Sequence, residues 1–136
     1  MTPDCLALEG ELLSAIGPLG LVAVSYLSTA PAGVRKFSGT VPSSCTFWTL
    51  AVAGEGFYTV PDDHLNCPVG SYTQAIDVPA ARAGELEQAL TLMSGVGYVR
   101  MEEVPSIPRL QHSPGVVYYA PLGRAVVPPD VVMASR

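Results

Sequence analysis

Side chains capable of thiolate or imidazole chemistry are concentrated between residues 43 and 74 of this 136-residue chain. Cys45 follows two serines, and His64 and Cys67 stand three positions apart just before Gly70. A cysteine thiolate is a nucleophile and a soft metal ligand, and a neutral imidazole is a general base and a metal ligand. The region therefore predicts a site built on Cys45 and Cys67.

The residues around the two cysteines predict two helix starts. Pro68 suits the first position of a helix, which makes Cys67 its N-cap. Ser43 is a favourable N-cap for another helix, which puts Cys45 in the first turn of that helix. Unpaired backbone N–H groups and the positive end of the helix dipole favour a thiolate at such positions. We therefore expect Cys45 and Cys67 to line one pocket, where Gly70 leaves room for a ligand beside the backbone.

Other interpretations of the same residues stay open. Cys45, Cys67 and His64 are candidate ligands of one metal ion, although zinc sites usually have four ligands and a lone His-x-x-Cys spacing is weakly specific. The aspartate-rich turn around His64 favours instead a surface position for this side chain. The two cysteines are also candidates for a disulfide, or for inert buried thiols of the kind expected for Cys5 on an apolar helix stripe.

The cysteine pattern supports three functions. In the first, the protein binds a soft metal ion, an iron–sulfur cluster or haem through Cys45 and Cys67, because thiolates select such centres. Two cysteines cannot complete a four-thiolate site, so a dimer or non-cysteine ligands would be required. In the second, the protein is a cysteine-dependent enzyme that acts on a small molecule, with His64 as a candidate base. In the third, it is a structural or interaction protein without a ligand.

The apolar periodicity predicts a single α+β domain with a mixed sheet and short helices. We expect helices over 2–17, 43–53, 67–78 and 81–94, strands over 19–27, 57–60, 116–119 and 131–133, and loops over 29–42 and 104–114. Thr2 is predicted to cap the first helix, whose apolar stripe runs from Cys5 to Ile16. Tyr118 and Tyr119 are expected on opposite faces of their strand, one in the core and one towards solvent or a pocket.

Composition and charge exclude several classes of protein. With 49% hydrophobic and 14% charged residues, the chain is too apolar for intrinsic disorder. A net charge of −5 with a single lysine argues against a nucleic-acid partner. The longest apolar run, 19–24, is far too short to span a membrane. The N-terminus lacks the pattern of a signal peptide, so we expect a cytoplasmic protein.

Several short motifs occur in an order that resembles one family. They are Ser44-Cys45, Gly56-Phe57-Tyr58 with Pro61, Cys67-Pro68-Val69-Gly70, Val117-Tyr118-Tyr119-Ala120-Pro121-Leu122 and Pro129-Asp130-Val131-Val132. From about residue 19 onward the chain resembles domain-of-unknown-function family 169, also labelled ArCR. The resemblance implies that Cys45 and Cys67 occupy the two characteristic cysteine positions of the family and that Gly70 is its glycine after Cys-Pro. It implies no particular activity.

The end of the chain predicts self-association. Members of that family continue well beyond the Pro-Asp-Val-Val segment, whereas this chain ends at Arg136, so we expect a short member, a fragment or half of a split protein. A strand so close to the end of the chain leaves a sheet edge to cover, and the surface is poor in charge. Both features favour a homodimer, with a small molecule as a further candidate partner.

Overall fold

The computed structural model of this protein describes residues 3–136, so the predicted cap at Thr2 lies outside the described residues. The helices are α1 (Pro3–Ile16), α2 (Cys45–Ala53), α3 (Pro68–Thr73) and α4 (Glu85–Gly95). The strands are β1 (Gly20–Leu27), β2 (Arg35–Lys36), β3 (Phe57–Thr59), β4 (Val116–Pro121) and β5 (Val131–Ser135). Short 3-10 turns lie at Pro61–His64, Ala80–Arg82, Met101–Ser106 and Leu122–Arg124.

The five strands form one mixed sheet in the order β2-β3-β4-β1-β5. β1 is central and pairs antiparallel with both β4 and β5, and β3 pairs antiparallel with β4. Only the short β2 runs parallel to its neighbour β3. The result is the predicted α+β domain. β5 lies at one edge of the sheet, and self-association through that edge remains a prediction.

Side chains alternate between the two faces of the sheet, and each face carries its own hydrophobic cluster. The cluster that we call the α1 face consists of Cys5, Leu21, Ala23, Tyr118, Ala120, Leu122 and Ala125. The cluster that we call the α2 face consists of Val22, Val24, Val41, Phe47, Ala51, Phe57, Val117 and Tyr119. Because helices cover both faces, β1 and β4 read as continuous apolar runs rather than as an alternating pattern.

The structure differs from the sequence prediction mainly where elements begin and end. α4 begins at Glu85 rather than at residue 81, because Ala80–Arg82 forms a separate 3-10 turn that ends before Gly84, the N-cap of α4. The predicted loop over 29–42 contains β2, and the predicted connector over 104–114 begins inside a 3-10 turn.

The apolar stripe of α1 is shorter than predicted. Cys5 is buried, and Leu8 and Leu12 pack against the α1 face, but Ile16 is 48% exposed. The helix ends directly afterwards at Gly17, which has φ +89°, so its last turn projects past the core that the preceding residues cover. Among residues 3–136, no helix combines the length and the apolar character that a membrane crossing requires.

Candidate functional site

A cavity of about 630 Å³ opens on the α2 face of the sheet, beside the starts of α2 and α3. Its volume falls within the range typical of small-molecule sites, roughly 300–1,000 Å³. We call it the thiol cavity, and the lining residues that matter below are Cys45, Trp48, Cys67, Gly70, Gln74 and Tyr119. The remaining lining is mostly apolar and comes from Ser44, α3, β1, β5, α4 and the segment 108–110. Cys45, Cys67 and Gly70 therefore border one cavity, as the sequence predicted.

Cys67 and Gly70 are positioned by the first turn of α3. Cys67 is the N-cap of this helix and Pro68 its first residue, as predicted, and the Cys67 Sγ accepts a hydrogen bond from Gly70 N at 3.4 Å. A Cβ atom at Gly70 would lie 2.6 Å from Ser44 Oγ and 3.0 Å from Cys67 Sγ. The space beside Gly70 is therefore taken by Ser44, whereas the sequence predicted room for a ligand there. Gly70 is needed because the starts of α2 and α3 pack directly against each other.

Cys45 is the first residue of α2, which confirms its predicted position in the first helical turn. The N-cap is Ser44 rather than the predicted Ser43, and the Ser44 side chain makes no capping hydrogen bond. Its Oγ instead lies 2.9 Å from the Nδ1 of His64. Cys45 is exposed and Cys67 is half-buried, and both are free thiols rather than partners in the disulfide considered above.

His64 is buried with 1% of its surface exposed, so the predicted surface position is wrong. The Asp63 carboxylate accepts a hydrogen bond from Val60 N at 2.8 Å and so holds the 3-10 turn that precedes α3. From the end of this turn the imidazole enters the α2 face, where its centroid lies 5.0 Å from that of the Phe47 ring. Asp63 thus stabilises the turn, and the histidine that follows the two aspartates faces inward.

The hydrogen bonds around His64 are compatible with a neutral ring that carries its proton on Nε2. The Thr59 hydroxyl donates to the carbonyl of Val117 at 3.4 Å, which leaves its oxygen to accept the proton of His64 Nε2 at 2.8 Å. Nδ1 is then an acceptor, which receives hydrogen bonds from Ser44 Oγ at 2.9 Å and from Gln74 Nε2 at 3.3 Å. Burial lowers the pKa of His64 to about 4, against the opposing effect of the nearby Asp63 carboxylate. The imidazole is therefore neutral at physiological pH.

The predicted three-ligand metal set is not assembled in one place. Cys45 and Cys67 line the thiol cavity, whereas both ring nitrogens of His64 are engaged by Ser44, Thr59 and Gln74. Within residues 3–136, no group of three or more histidine, cysteine, aspartate or glutamate side chains is arranged to hold a metal ion. In the same range, no hydrogen bond links His64 to either sulfur, so the imidazole is not placed as a base for a thiol.

Gln74 also lines the thiol cavity, and the sequence did not predict this position. It is the C-cap of α3, only 8% exposed, and its Oε1 has no hydrogen-bond partner within the described part of the chain. A glutamine at the end of a short helix is typical of a solvated surface, so nothing in the sequence marks it. Only the packing of α3 against the α2 face places this amide inside the protein.

Tyr119 brings a hydroxyl to the thiol cavity, as the alternation of Tyr118 and Tyr119 allowed. Its pKa is raised far above the usual range, chiefly by burial and then by the nearby Tyr26, Cys45 and Cys67. The hydroxyl therefore stays protonated. Both cysteines raise the pKa of the Tyr119 hydroxyl, which agrees with the position of Cys45, Cys67 and Tyr119 on the same cavity.

One cationic group borders the thiol cavity. The Nε of Arg109 donates to the Tyr72 carbonyl at 2.9 Å, and its guanidinium carbon lies 4.0 Å from the centre of the Tyr72 ring. Leu110 N donates to the Thr73 carbonyl at 2.8 Å in the same region. These contacts hold the segment 108–110 against α3 and so close one side of the cavity.

No protein-family model, curated protein or solved structure matches this chain at a significant level.

Proposed function

We propose that this protein binds a small, largely apolar molecule in the thiol cavity. The observation that carries the proposal is an apolar-walled cavity of about 630 Å³ on the α2 face of the sheet. Protein interiors are packed to crystal-like density, and a wall of exposed apolar surface costs free energy unless a ligand or partner covers it. The polar groups that reach the cavity are few, as in typical ligand sites, where they orient the bound molecule.

Trp48 offers a direct test, because it lines the thiol cavity and is the single tryptophan of the chain. We expect the apolar dye 1-anilinonaphthalene-8-sulfonate to bind saturably at one site and to quench the fluorescence of Trp48. Replacing Val69, which also lines the cavity, with phenylalanine fills part of this volume and should weaken dye binding about tenfold or more.

Val96 provides the matched control, since it is exposed and lies outside the thiol cavity at the end of α4. Val96→Phe should leave dye binding and Trp48 quenching as in the wild type. Dye binding without saturation, or an equal loss in Val69→Phe and Val96→Phe, would contradict a ligand site in this cavity.

A second candidate is a thiolate-bound centre, and the placement of Cys45 and Cys67 on the same cavity favours it. Of the centres considered, haem agrees best with this donor set. A haem iron takes one or two axial protein ligands, whereas a four-iron cluster takes four thiolates and a structural zinc ion four ligands. A metal ion or cluster would need donors from a second chain or ligands other than cysteine.

Visible absorbance and metal analysis of protein purified without oxygen test this candidate, followed by titration with haemin. We expect the Soret band of haemin to shift on binding to the wild-type protein, and we expect no such shift with the Cys45→Ser/Cys67→Ser variant. Cys5→Ser is the control, because Cys5 lies on the α1 face, away from the cavity. Identical haemin spectra for all three proteins would sink the thiolate-bound centre but leave the apolar-ligand proposal standing.

The resemblance to domain-of-unknown-function family 169 stays a prediction. Its two characteristic cysteine positions and its glycine correspond to Cys45, Cys67 and Gly70, which are the residues that border the thiol cavity. The proposed binding function therefore extends to that family only if its other members build the same cavity.

A further inference from the structure

Arg109 is the only charged residue among the described residues that line the thiol cavity. The chain has 12 acidic residues against 7 lysines and arginines, yet no acidic residue belongs to that lining. Asp130, which precedes the lining residue Val131, accepts a hydrogen bond from Tyr26 N at 2.7 Å and is thereby held at the backbone of β1. The cavity of this acidic protein therefore has an electrostatic preference for an anion.

The guanidinium of Arg109 has unused donors. Its contacts with Tyr72 occupy the Nε atom and one face of the guanidinium plane. Within residues 3–136, its Nη1 and Nη2 atoms make no hydrogen bond or ion pair, whereas the guanidinium of Arg100 is paired with Glu103. The edge formed by these two nitrogens can bind a carboxylate through two parallel hydrogen bonds.

Arg109 lies where the thiol cavity meets solvent. The residue is exposed, and it lines the cavity together with its neighbours Pro108 and Leu110. Its guanidinium is stacked on Tyr72, which directly precedes the lining residue Thr73. A bound molecule can therefore place its apolar part against the walls and its charged part at the opening, where water still solvates the charge.

We propose that the ligand of the thiol cavity is an apolar carboxylate, whose chain fills the cavity and whose headgroup is bound by the Nη1 and Nη2 atoms of Arg109. The inference rests on the proposed binding function of the thiol cavity. A carboxylate is planar and has two acceptor oxygens, which match the two nitrogens of the guanidinium edge. At the opening both groups keep part of their hydration, so their pairing avoids the full desolvation cost of a buried ion pair.

Octanoate and octanol form a matched probe pair, because they share one flexible chain and only octanoate is charged near neutral pH. Met93 and Met133 line the cavity, and methionine adapts its shape to such a chain. By isothermal titration calorimetry at low salt, we expect the wild-type protein to bind octanoate about fivefold more tightly than octanol. High salt should reduce this preference. Octanol is the more apolar probe, so a cavity without a cation would prefer it.

Arg109→Gln removes the charge and should weaken the binding of octanoate about fivefold, with octanol bound as by the wild type. Arg35→Gln is the matched control, because Arg35 is exposed on β2, lies outside the cavity and changes the net charge by the same amount. This control should retain the preference for octanoate. The wild-type comparison at low and high salt needs no variant, so it decides the question even where Arg109→Gln fails to fold.

The outcomes separate this inference from the function on which it rests. Equal or tighter binding of octanol by the wild type overturns the carboxylate headgroup and leaves the cavity as a ligand site. Equal losses of affinity for both probes in Arg109→Gln also overturn it, because Arg109 then only holds the segment 108–110 in place. Absence of binding for both probes, with saturable dye binding retained, overturns the ligand class. Absence of binding for both probes and the dye overturns the proposed function itself.

Discussion

The same types of residue have different surroundings on the two faces of the sheet, and the adjacent Tyr118 and Tyr119 show this most directly. Tyr118 points into the α1 face, where its hydroxyl accepts a hydrogen bond from Val126 N at 3.2 Å. Tyr119 points into the α2 face, where it borders the thiol cavity. Both rings are buried, but only the second brings its hydroxyl to a space that another molecule can enter.

The cysteines of the two faces also differ in their exposure to solvent. Cys5 is 3% exposed inside the packed cluster of the α1 face, whereas Cys45 is exposed and Cys67 half-buried on the thiol cavity. Leu122 and Ala125, which pack with Cys5, have no exposed surface at all. The cluster around Cys5 on the α1 face is thus closely packed, whereas the cluster on the α2 face borders the thiol cavity.

The polar groups explain why the α2 face stays open. Ser44, Thr59, His64 and Gln74 form one hydrogen-bonded network directly behind the cavity. Burying these polar groups costs desolvation free energy, which an apolar core of similar volume would avoid. We infer that the α1 face supplies stability, and that the α2 face holds functional side chains in defined orientations.

The largest difference between the faces should appear in thiol accessibility. Iodoacetamide should modify Cys45 at least about a hundredfold faster than Cys5, because Cys5 reacts only when the α1 face opens. A short labelling pulse followed by mass spectrometry of the peptides measures both rates in one sample. Equal rates for Cys5 and Cys45 would show that the α1 face is not closed.

Leucine truncation should separate the faces by stability. Leu122→Ala on the α1 face should lower the free energy of unfolding by about 2–5 kcal/mol, the usual cost of such a cavity in a filled core. Leu110, which is half-buried against the thiol cavity, is the matched site, and Leu110→Ala should cost less than about 1.5 kcal/mol. Urea unfolding measures both, and comparable losses would remove the distinction.

Acid should destabilise the α2 face through His64. Its pKa is about 4 in the folded protein and near 6.5 in the unfolded chain, so the unfolded state binds the extra proton between these values. Stability should therefore fall as the pH drops from about 6.5 to about 4, by about 3 kcal/mol in all, and above that window His64 should cause no change of stability with pH.

The contribution of His64 is isolated by comparison with His64→Leu across the same pH range in urea unfolding. The variant should be less stable near pH 7, because Ser44, Thr59 and Gln74 lose their partner, but its stability should vary less with pH. Parallel pH profiles for the two proteins would exclude His64 as the source of the acid sensitivity.

The smallest expected effect lies in the backbone next to Gln74. Ala75 has φ +55°, a left-handed conformation that costs a residue with a Cβ atom about 1 kcal/mol. Ala75→Gly should therefore stabilise the protein by roughly 0.5 kcal/mol, after the greater chain entropy of glycine is subtracted. Gly97, with φ +84° and open space around its Cα, is the reverse control.

Gly97→Ala should lower the free energy of unfolding by about 1 kcal/mol, because it introduces the same kind of strain away from the cavity. Urea unfolding of both variants tests the pair. A loss of stability in Ala75→Gly would mean that the backbone beside Gln74 is not strained.

The helices that carry Cys45 and Cys67 were predictable from local preferences of the chain. Pro68 requires a helix start after Cys67, apolar β-branched runs require β1 and β4, and glycine ends α1, all of which are local preferences of the chain. The N-cap position of Cys67 followed from Pro68, whereas the start of α2 was predicted one residue too early, with Ser43 rather than Ser44 as its N-cap. The alternation of Tyr118 and Tyr119 followed from the two-residue period of a strand.

The burial of the polar side chains depends on tertiary packing and was not predictable from the sequence. His64 and Gln74 belong to residue types that are usually solvated, and their local sequence gives no sign of a partner. They enter the α2 face because Gly70 lets α3 pack directly against Ser44, which brings their hydrogen-bond partners within reach. That contact joins residues twenty or more positions apart, and hydrophobic periodicity carries no information about contacts of this kind.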